Sequence, residues 1–197
     1  MFKFINVKIL LFVILLMFCS CTFNGTFQGL FSYYNVTKKE SEIQFIHLNE
    51  IKEYHHFDFD SAKVIVTNGV ALKSHLKKYE NSLVYIWSPR CKSKYCYPLN
   101  ILQDVCNQED IKLFVVAEYY DSYYMSRYYD LEHSLRGIDV KYYKTNLTSG
   151  YLSKFIVDLT NGMYSCGSNN ENNCSFLSFH NGKFENAFEA IEQITKN

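Results

Sequence analysis

Four short segments in the middle of the chain have the pattern of β-strands. Three of them are apolar runs that read KVIVT, SLVYIW and IKLFVVAEYY, and the fourth reads DVKYYK. β-Branched and aromatic residues dominate these runs, which favours strands over helices. The third run is apolar almost without interruption, as expected of a central strand that is covered on both faces.

Between these runs, apolar residues recur at helical spacing, which predicts helices. Asn68, Ser93 and Asp121 stand where three helices would begin, and each can accept a hydrogen bond from a first-turn backbone N–H group. Gly137 is expected to end the third helix, and Asn161-Gly162 a fourth. The apolar faces consist of Leu72, Leu76 and Tyr79; Leu99, Leu102, Val105 and Cys106; Tyr124, Met125, Tyr128, Leu131 and Leu135; and Tyr151, Leu152, Phe155, Ile156 and Leu159.

The last part of the chain combines a hairpin pattern with a helix pattern. In CSFLSFHNGKFENAF, apolar and polar residues alternate around Asn181-Gly182, a dipeptide typical of two-residue hairpin turns. Ala187, Ile191 and Ile194 then predict a terminal amphipathic helix. Because strands and helices alternate along most of the chain, the sequence predicts an α/β fold with a central mixed sheet flanked by helices.

The first residues have the pattern of an export signal. Lys3 and Lys8 precede an unbroken apolar run over residues 9–18, which is shorter than the span of about 20 residues that crosses a membrane. The following Ser20-Cys21 resembles the end of a bacterial lipoprotein signal, in which a small residue precedes the cysteine that is acylated. The resemblance implies a signal peptide over residues 1–20 and a lipid on Cys21. Cys19 is the alternative position, and a cleaved, freely soluble exported protein is the simpler alternative.

The residue after Cys21 bears on the location of the mature protein. Thr22 stands where inner-membrane retention of such lipoproteins uses aspartate, so we expect a lipid-anchored protein that faces the periplasm, on the outer membrane. Residues 21–60 are interpreted as a tether that becomes an outer strand or loop, and residues 61–197 as the folded domain. His55 and His56 could contact a metal, but neighbouring side chains of an extended segment point to opposite faces, which favours a solvated segment.

Charge narrows the classes of partner. Twenty basic and twenty acidic residues cancel, and the sequence has no basic stripe that could follow a nucleic-acid backbone. We therefore expect no nucleic-acid partner. We also expect no metal and no cofactor. The expected partners are an exported protein, as substrate or redox partner, and the membrane, through the lipid anchor.

The remaining cysteines point to disulfide chemistry. They are Cys91, Cys96, Cys106, Cys166 and Cys174. Disulfides persist in exported proteins, and the odd count leaves at least one thiol without a partner in the chain. Cys166 and Cys174 flank the polar loop GSNNENN, which favours a structural disulfide that closes this loop. Cys106 follows Leu102 by one helical turn, so we expect it to be a small buried hydrophobic residue.

The segment WSPRC follows the first central strand, and an Asn-Gly hairpin follows near the end of the chain. This order resembles the thioredoxin fold over residues 62–197, and the segment is most similar to membrane-anchored thiol oxidoreductases of the TlpA and ResA type. In that family a Trp-Ala-x-Trp-Cys-x-x-Cys pattern stands where the strand meets the helix. Trp87 matches the first tryptophan and Cys91 the nucleophilic cysteine, whereas Ser88 and Arg90 replace the alanine and the second tryptophan.

The resemblance implies a set of site residues, and departures from the family pattern alter it. It implies catalytic roles for Cys91 and Cys96 and a substrate-binding surface formed by Trp87, Pro89, Cys174 and Ser175. Lys94 stands at the family's second cysteine position, so Cys96 is the next candidate partner of Cys91. Cys174 stands at the family's cis-proline position before the hairpin, which makes a Cys91–Cys174 pair the alternative to a Cys166–Cys174 bridge.

The chemistry of Cys91 depends on where the next helix begins. A thiol at a helix start beside several basic residues is expected to be acidic, because positive charge favours the thiolate. On a regular helix, five residues turn the chain by about 500°, which leaves Cys91 and Cys96 about 140° apart. The two cysteines therefore pair only if Cys91 lies in a loop before the helix, with Ser93 or Lys94 opening the helix.

Two functions remain open on the sequence. The first is a periplasmic thiol-disulfide oxidoreductase that acts on exported proteins with Cys91 as nucleophile. The second is a non-catalytic thioredoxin-fold binding or accessory lipoprotein whose cysteines are structural. The placement of Trp87 before Cys91 favours the oxidoreductase, whereas the altered cysteine spacing and the missing cis-proline favour the binding protein.

Overall fold

One mixed β-sheet organises the described part of the chain. The structure is a computed structural model, and it describes residues 29–40, 43–48, 63–93, 96–164 and 175–194. The strands are β1 Gln44–His47, β2 Lys63–Thr67, β3 Asn81–Trp87, β4 Lys112–Ala117, β5 Arg136–Ile138, β6 Phe176–His180 and β7 Lys183–Phe188. The helices are α1 Tyr34–Glu40, α2 Gly69–Leu76, α3 Leu99–Gln108, α4 Ser122–Met125, α5 Val140–Tyr143 and α6 Thr148–Thr160, and a 3-10 turn follows at Ile191–Gln193.

The sheet joins a parallel part to an antiparallel hairpin. Its strand order is β1-β2-β5-β4-β3-β6-β7. The first five strands in that order run parallel to one another, whereas β6 pairs antiparallel with both β3 and β7. The carboxyl ends of β2, β3 and β4 therefore meet at the same edge of the sheet, and the loops that follow them are neighbours.

Helices cover both faces of the central strands. On one face, Tyr85 of β3 packs in a core with Leu102 of α3. On the other face, Phe114 of β4 packs with Leu72 of α2 and Phe155 of α6. Strands that are buried on both faces read as continuous apolar runs, which explains the pattern of the third run. The predicted α/β class, with a central mixed sheet flanked by helices, is confirmed.

Several local predictions are also confirmed. The Asn68 side chain accepts a hydrogen bond from the backbone N–H of Ala71 at 2.8 Å and so caps α2. Asp121 caps α4 in the same way. The turn between β6 and β7 has positive φ at both Asn181 and Gly182, 51° and 71°, as the Asn-Gly pair predicts.

The segment DVKYYK forms a helix and not the predicted strand. The Asp139 carboxylate accepts hydrogen bonds from the backbone N–H groups of Lys141 and Tyr142, at 3.0 and 3.1 Å. This cap fixes the first turn of α5, which ends at Lys144 with φ 54°. The aromatic content of the segment favours a strand, but the aspartate directly before it decides the local structure.

The long helix predicted after Asp121 is also wrong, because α4 ends at Met125 and the chain forms β5 at Arg136–Ile138. Gly137 therefore does not end a helix. A Cβ atom at this position would lie 2.5 Å from the ring of Tyr120, whose hydroxyl donates to the Ile138 carbonyl at 2.8 Å. The glycine is required by this close approach, which lets β5 fit between β2 and β4.

The predicted terminal helix is replaced by an extension of the hairpin. Ala187 pairs with Leu177 in the sheet, and the only helical turn after it in the described residues is the short 3-10 turn. Phe188 contributes to the core as a residue of β7, because its ring stacks on that of Phe176.

Segment 21–60 contributes the edge strand β1, which pairs parallel to β2. The predictions for Cys19, Cys21, His55 and His56, and for Cys166 and Cys174, lie outside the described residues. Among the helices that the structure describes, none has the length and apolar character needed to cross a membrane.

Candidate active site

The loop between β3 and α3 consists of two successive turns. The backbone N–H of Cys91 donates to the Ser88 carbonyl at 3.1 Å, and the N–H of Cys96 donates to the Ser93 carbonyl at 3.1 Å. Each turn thus ends on a cysteine. Pro89 stands at the second position of the first turn, where its fixed φ suits the turn.

Ser93 does not cap a helix, so this prediction is wrong. α3 begins at Leu99 and is preceded by Pro98. The residue before a proline is disfavoured in the α conformation, so a helix that began at Ser93 could not run through Tyr97. Pro98 therefore delays the helix until after both cysteines.

The delayed helix brings Cys91 and Cys96 together. They form a disulfide with their Cα atoms 5.9 Å apart. This is the arrangement that the sequence requires for pairing, with Cys91 in a loop, although the loop is longer than predicted. Cys91 is exposed, whereas Cys96 is half-buried.

The helix start expected to favour the Cys91 thiolate lies elsewhere. Cys91 lies eight residues before Leu99, the first residue of α3, and a helix terminus acts only over its first turn. The Arg90 guanidinium forms an ion pair with the Asp121 carboxylate, with 2.5 Å between Nε and Oδ2. Its positive charge is therefore balanced by that carboxylate and does not act on the sulfurs alone. The prediction that Cys91 stands at a helix start is wrong.

Contacts on the β4 side hold the base of the loop. Pro89 is buried, and the backbone N–H of Arg90 donates to the Tyr119 hydroxyl at 3.2 Å. The Arg90–Asp121 pair joins the same loop to the cap of α4. The first turn is therefore fixed to the sheet edge, while residues 91–93 are exposed to solvent.

Glu118 is a site residue that the sequence reasoning missed. It follows β4 directly, its backbone N–H donates to the Trp87 carbonyl at 2.8 Å, and its carboxyl group lies near the Ser88 side chain. Burial raises the pKa of Glu118 above the usual glutamate range. The signal was available, because Glu118 is the first charged residue after a run that must end at the same sheet edge as Trp87.

Of the predicted substrate-binding residues, Trp87, Pro89 and Ser175 lie around the end of β3, and Cys174 lies outside the described residues. Trp87 is buried at 7% exposure and contacts Tyr129 edge-on, with ring centroids 5.6 Å apart. The Ser175 carbonyl accepts the backbone N–H of Ile86 at 2.8 Å, which places Ser175 beside Trp87 at the sheet edge. Trp87 and Pro89 support the loop from below, since little of either side chain is open to a substrate.

Cys106 behaves as the sequence predicts. It is fully buried on α3, and burial raises the pKa of its thiol to about 12. Within the described ranges, no cluster of three or more histidine, cysteine, aspartate or glutamate residues could hold a metal ion.

The chain matches no protein-family model, no curated protein and no solved structure. The resemblance to thioredoxin-like oxidoreductases therefore stays a prediction from the sequence.

Proposed function

We propose that this protein is a thioredoxin-like thiol-disulfide oxidoreductase that acts on thiols or disulfides of exported proteins. The observation that carries the proposal is the Cys91–Cys96 disulfide in a solvent-exposed loop at the carboxyl end of a buried parallel strand. Exposed disulfides on loops that a rigid sheet positions are suited to exchange, because an incoming thiolate must reach one sulfur in line.

The arrangement of the elements supports the thioredoxin-like part of the proposal. β3 ends at Trp87 and leads to the cysteine loop, β4 lies parallel on one side, and the β6–β7 hairpin lies antiparallel on the other. Ser175, at the start of the hairpin, is hydrogen-bonded beside the end of β3. This is the neighbourhood that the resemblance assigns to the substrate.

The exchange uses the difference in exposure between the two sulfurs. A thiolate of the exported protein attacks Cys91 Sγ, the Cys91–Cys96 bond breaks, and the electron pair leaves on Cys96 Sγ. A second thiolate of that protein then displaces Cys91 Sγ. The substrate dithiol is thereby oxidised to a disulfide while Cys91 and Cys96 are reduced, and the same steps in reverse reduce a substrate disulfide.

Glu118 supplies a proton-holding group close to this loop. Its carboxyl group lies near Ser88, the residue whose carbonyl accepts the Cys91 N–H, and burial raises its pKa, so it retains a proton at higher pH than an exposed glutamate. A carboxyl group that retains its proton in this way can exchange protons with thiols as they form and ionise.

Insulin reduction by the purified chain tests the proposal. We expect the wild-type protein to accelerate reduction by dithiothreitol, Cys91→Ser to abolish the acceleration, and Cys96→Ser to accumulate a mixed disulfide between insulin and Cys91. Cys106→Ala is the matched control, because it removes a buried cysteine of the next helix and should keep activity. Full activity in Cys91→Ser would refute the proposed function.

The second candidate is a non-catalytic binding or accessory protein with a static disulfide. It is favoured by the position of Cys91 outside any helix start and by the ion pair that ties Arg90 to Asp121. In that case Cys91 and Cys96 stay oxidised throughout a titration with glutathione, and neither serine variant changes insulin reduction.

For location, we propose a lipid anchor on Cys21 and a periplasm-facing position on the outer membrane, from the sequence pattern alone. Growth with a labelled fatty acid should label the wild-type protein and leave Cys21→Ala unlabelled. Label that remains on Cys21→Ala would move the lipid to Cys19.

For the remaining cysteines, we propose a bridge between Cys166 and Cys174. Peptide mapping without reduction should recover both cysteines in one linked fragment. Recovery of a Cys91–Cys174 fragment would favour the alternative pairing.

A further inference from the structure

The Ser93 hydroxyl lies between the two sulfurs of the disulfide. Its oxygen is 3.2 Å from Cys96 Sγ and 3.5 Å from Cys91 Sγ. Both distances are within the range of hydrogen bonds to sulfur, which is a weak acceptor as a disulfide or thiol and a strong one as a thiolate. One side chain thus contacts both reacting atoms of the proposed exchange.

The backbone holds this hydroxyl in place. Ser93 is the first residue of the turn whose carbonyl accepts the Cys96 N–H at 3.1 Å. This backbone hydrogen bond links the position of Ser93 to that of Cys96, and the Ser93 oxygen is closer to Cys96 Sγ than to Cys91 Sγ.

The backbone N–H groups at the start of α3 are too far along the chain to donate to Cys91, because the first helical residue is Leu99. The Arg90 guanidinium pairs with Asp121. A hydroxyl that donates to a thiolate stabilises it, since hydrogen bonds to a charged group are the stronger ones.

We propose that Ser93 is a positioning residue whose hydroxyl stabilises the thiolate that leaves on Cys96 when the Cys91 sulfur is attacked. This inference rests on the proposed function and names a group that sets the redox balance of the same site. In the step, the incoming thiolate forms a bond to Cys91 Sγ, the Cys91–Cys96 bond breaks, and the electron pair remains on Cys96 Sγ. The Ser93 O–H donates a hydrogen bond to that sulfur and keeps its proton.

The test compares the full-length mature protein with Ser93→Ala and Ser93→Thr. Ser126→Ala is the matched control, because Ser126 is also exposed on a neighbouring loop and its hydroxyl donates to the Tyr123 carbonyl, away from the sulfurs. The readouts are the equilibrium of the Cys91–Cys96 pair with glutathione, followed by mass spectrometry, and the pH profile of alkylation of the two reduced cysteines.

We expect Ser93→Ala to disfavour the reduced pair about threefold in the equilibrium constant, because the thiolate loses a hydrogen-bond donor. Since tenfold corresponds to 29.6 mV for this two-electron couple, the potential falls by about 14 mV. The alkylation profile of Cys96 should move to higher pH by about half a unit, and Ser93→Thr should restore both values.

An unchanged potential and an unchanged pH profile in Ser93→Ala would overturn the inference. So would a Ser93→Thr variant that behaves like Ser93→Ala, because the effect would then come from loop shape and not from the hydroxyl. These outcomes are separate from failure of the proposed function, since they use glutathione and alkylation, whereas insulin reduction by Cys91→Ser decides whether the pair is catalytic.

Discussion

Two strands of the sheet end at the same edge but leave it in different ways. β2 passes into α2 through the single residue Asn68, whereas β3 is followed by residues 88–98 before α3 begins. The first connection is buried at Asn68 and Gly69. The second is fixed at its base and exposed at its tip, where the disulfide lies.

The β2–α2 connection leaves no free space. The Gly69 N–H donates to the Tyr143 hydroxyl at 2.8 Å, and that hydroxyl in turn donates to Asp158 of α6 at 3.1 Å. A Cβ atom on Gly69 would lie 2.3 Å from the Phe155 carbonyl oxygen. α2 and α6 therefore approach each other closely because this position has no side chain.

The cysteine loop is different because its fixed contacts involve only its first residues. Pro89 is buried and Arg90 pairs with Asp121, but Cys91, Lys92 and Ser93 are exposed. The contrast shows how one sheet edge serves two purposes, with a tightly packed connection that supports the fold and a loosely packed one that offers atoms for chemistry.

The largest expected effect comes from Gly69→Ala. The added Cβ meets backbone atoms of α6, which cannot move without displacing the helix, so we expect a loss of more than about 4 kcal/mol in the free energy of unfolding, or failure to fold. Urea denaturation followed by circular dichroism measures it.

Gly150→Ala in α6 is the control for this substitution. A Cβ there would have its nearest neighbours in the side chain of Thr145 at 3.4 Å, which is ordinary contact, so we expect stability to be unchanged or to rise by up to about 1 kcal/mol. Equal stability of the Gly69→Ala variant and the wild type would mean that α2 and α6 are not in close contact.

The next effect is acid sensitivity on the packed side, where His75 of α2 and His133 lie near Arg136. Burial, followed by the charge of Arg136, lowers the pKa of both histidines to about 3. The unfolded chain takes up protons below pH 6.5 and the folded chain does not, so stability is full above pH 6.5, falls between pH 6.5 and 3, and then levels off. At pH 5 the loss reaches about 2 kcal/mol per histidine.

Urea denaturation at pH 7 and pH 5 measures this loss. His133→Phe should reduce the difference between the two pH values, because the ring of His133 is stacked on Phe114 with centroids 4.6 Å apart and phenylalanine preserves that contact without titrating. Equal stability at both pH values in the wild type would show that these histidines are accessible to protons in the folded state.

The third effect is the change in stability when the disulfide of the cysteine loop is reduced. Reduction of Cys91–Cys96 releases a closed loop of only five residues' separation, which corresponds to about 2 kcal/mol in the chain-entropy treatment. We expect the reduced protein to stay folded, with a lower melting temperature and an unchanged circular dichroism spectrum at 25 °C.

Cys91→Ala with Cys96→Ala isolates this effect, because a reductant would also open the proposed Cys166–Cys174 bridge, whereas the double variant should lose only the roughly 2 kcal/mol expected for Cys91–Cys96. Unfolding on reduction of Cys91–Cys96 would assign the disulfide a structural role and favour the binding protein.

The smallest effect compares two of the three residues that the sequence predicts as helix caps. Asn68→Ala removes the side chain that accepts the Ala71 N–H and should cost about 1 kcal/mol. Ser93→Ala removes no cap and should change the stability of the oxidised protein by less than about 0.5 kcal/mol. A cost for Ser93→Ala as large as that for Asn68→Ala would indicate that Ser93 stabilises the fold directly.

Much of the fold could be predicted from local patterns, where the physical cause is local. The run IKLFVVA is a central strand because both faces of β4 are covered, and Asn68 caps α2 because its side chain reaches a backbone N–H three residues on. The Asn181-Gly182 turn follows from the tolerance of both residues for positive φ. The exposed position of Cys91 and the burial of Cys106 were predictable for the same kind of reason, from a polar loop and an apolar helix face.

Two of the failures occur where a distant part of the chain decides. The helical spacing after Asp121 predicts a longer helix, but residues 136–138 gain more by pairing on both sides with β2 and β4. Ala187 likewise pairs with Leu177 across the hairpin and is not part of a helix. Hydrogen bonds between strands and burial on both faces outweigh the helical spacing of apolar residues, because that spacing indicates the burial of only one face.

The sequence by itself determined that this chain has an α/β fold, with a cysteine-containing segment after a buried strand. Only the tertiary structure decided that the next helix begins at Leu99, that Glu118 lies near Ser88 and that Ser93 lies between the two sulfurs. The reason is that the first group of features depends on neighbours in the chain. The second group depends on the register of β3 against β4 and on the backbone hydrogen bonds of Cys91 and Cys96. The spacing of residues in the sequence does not predict how these combine.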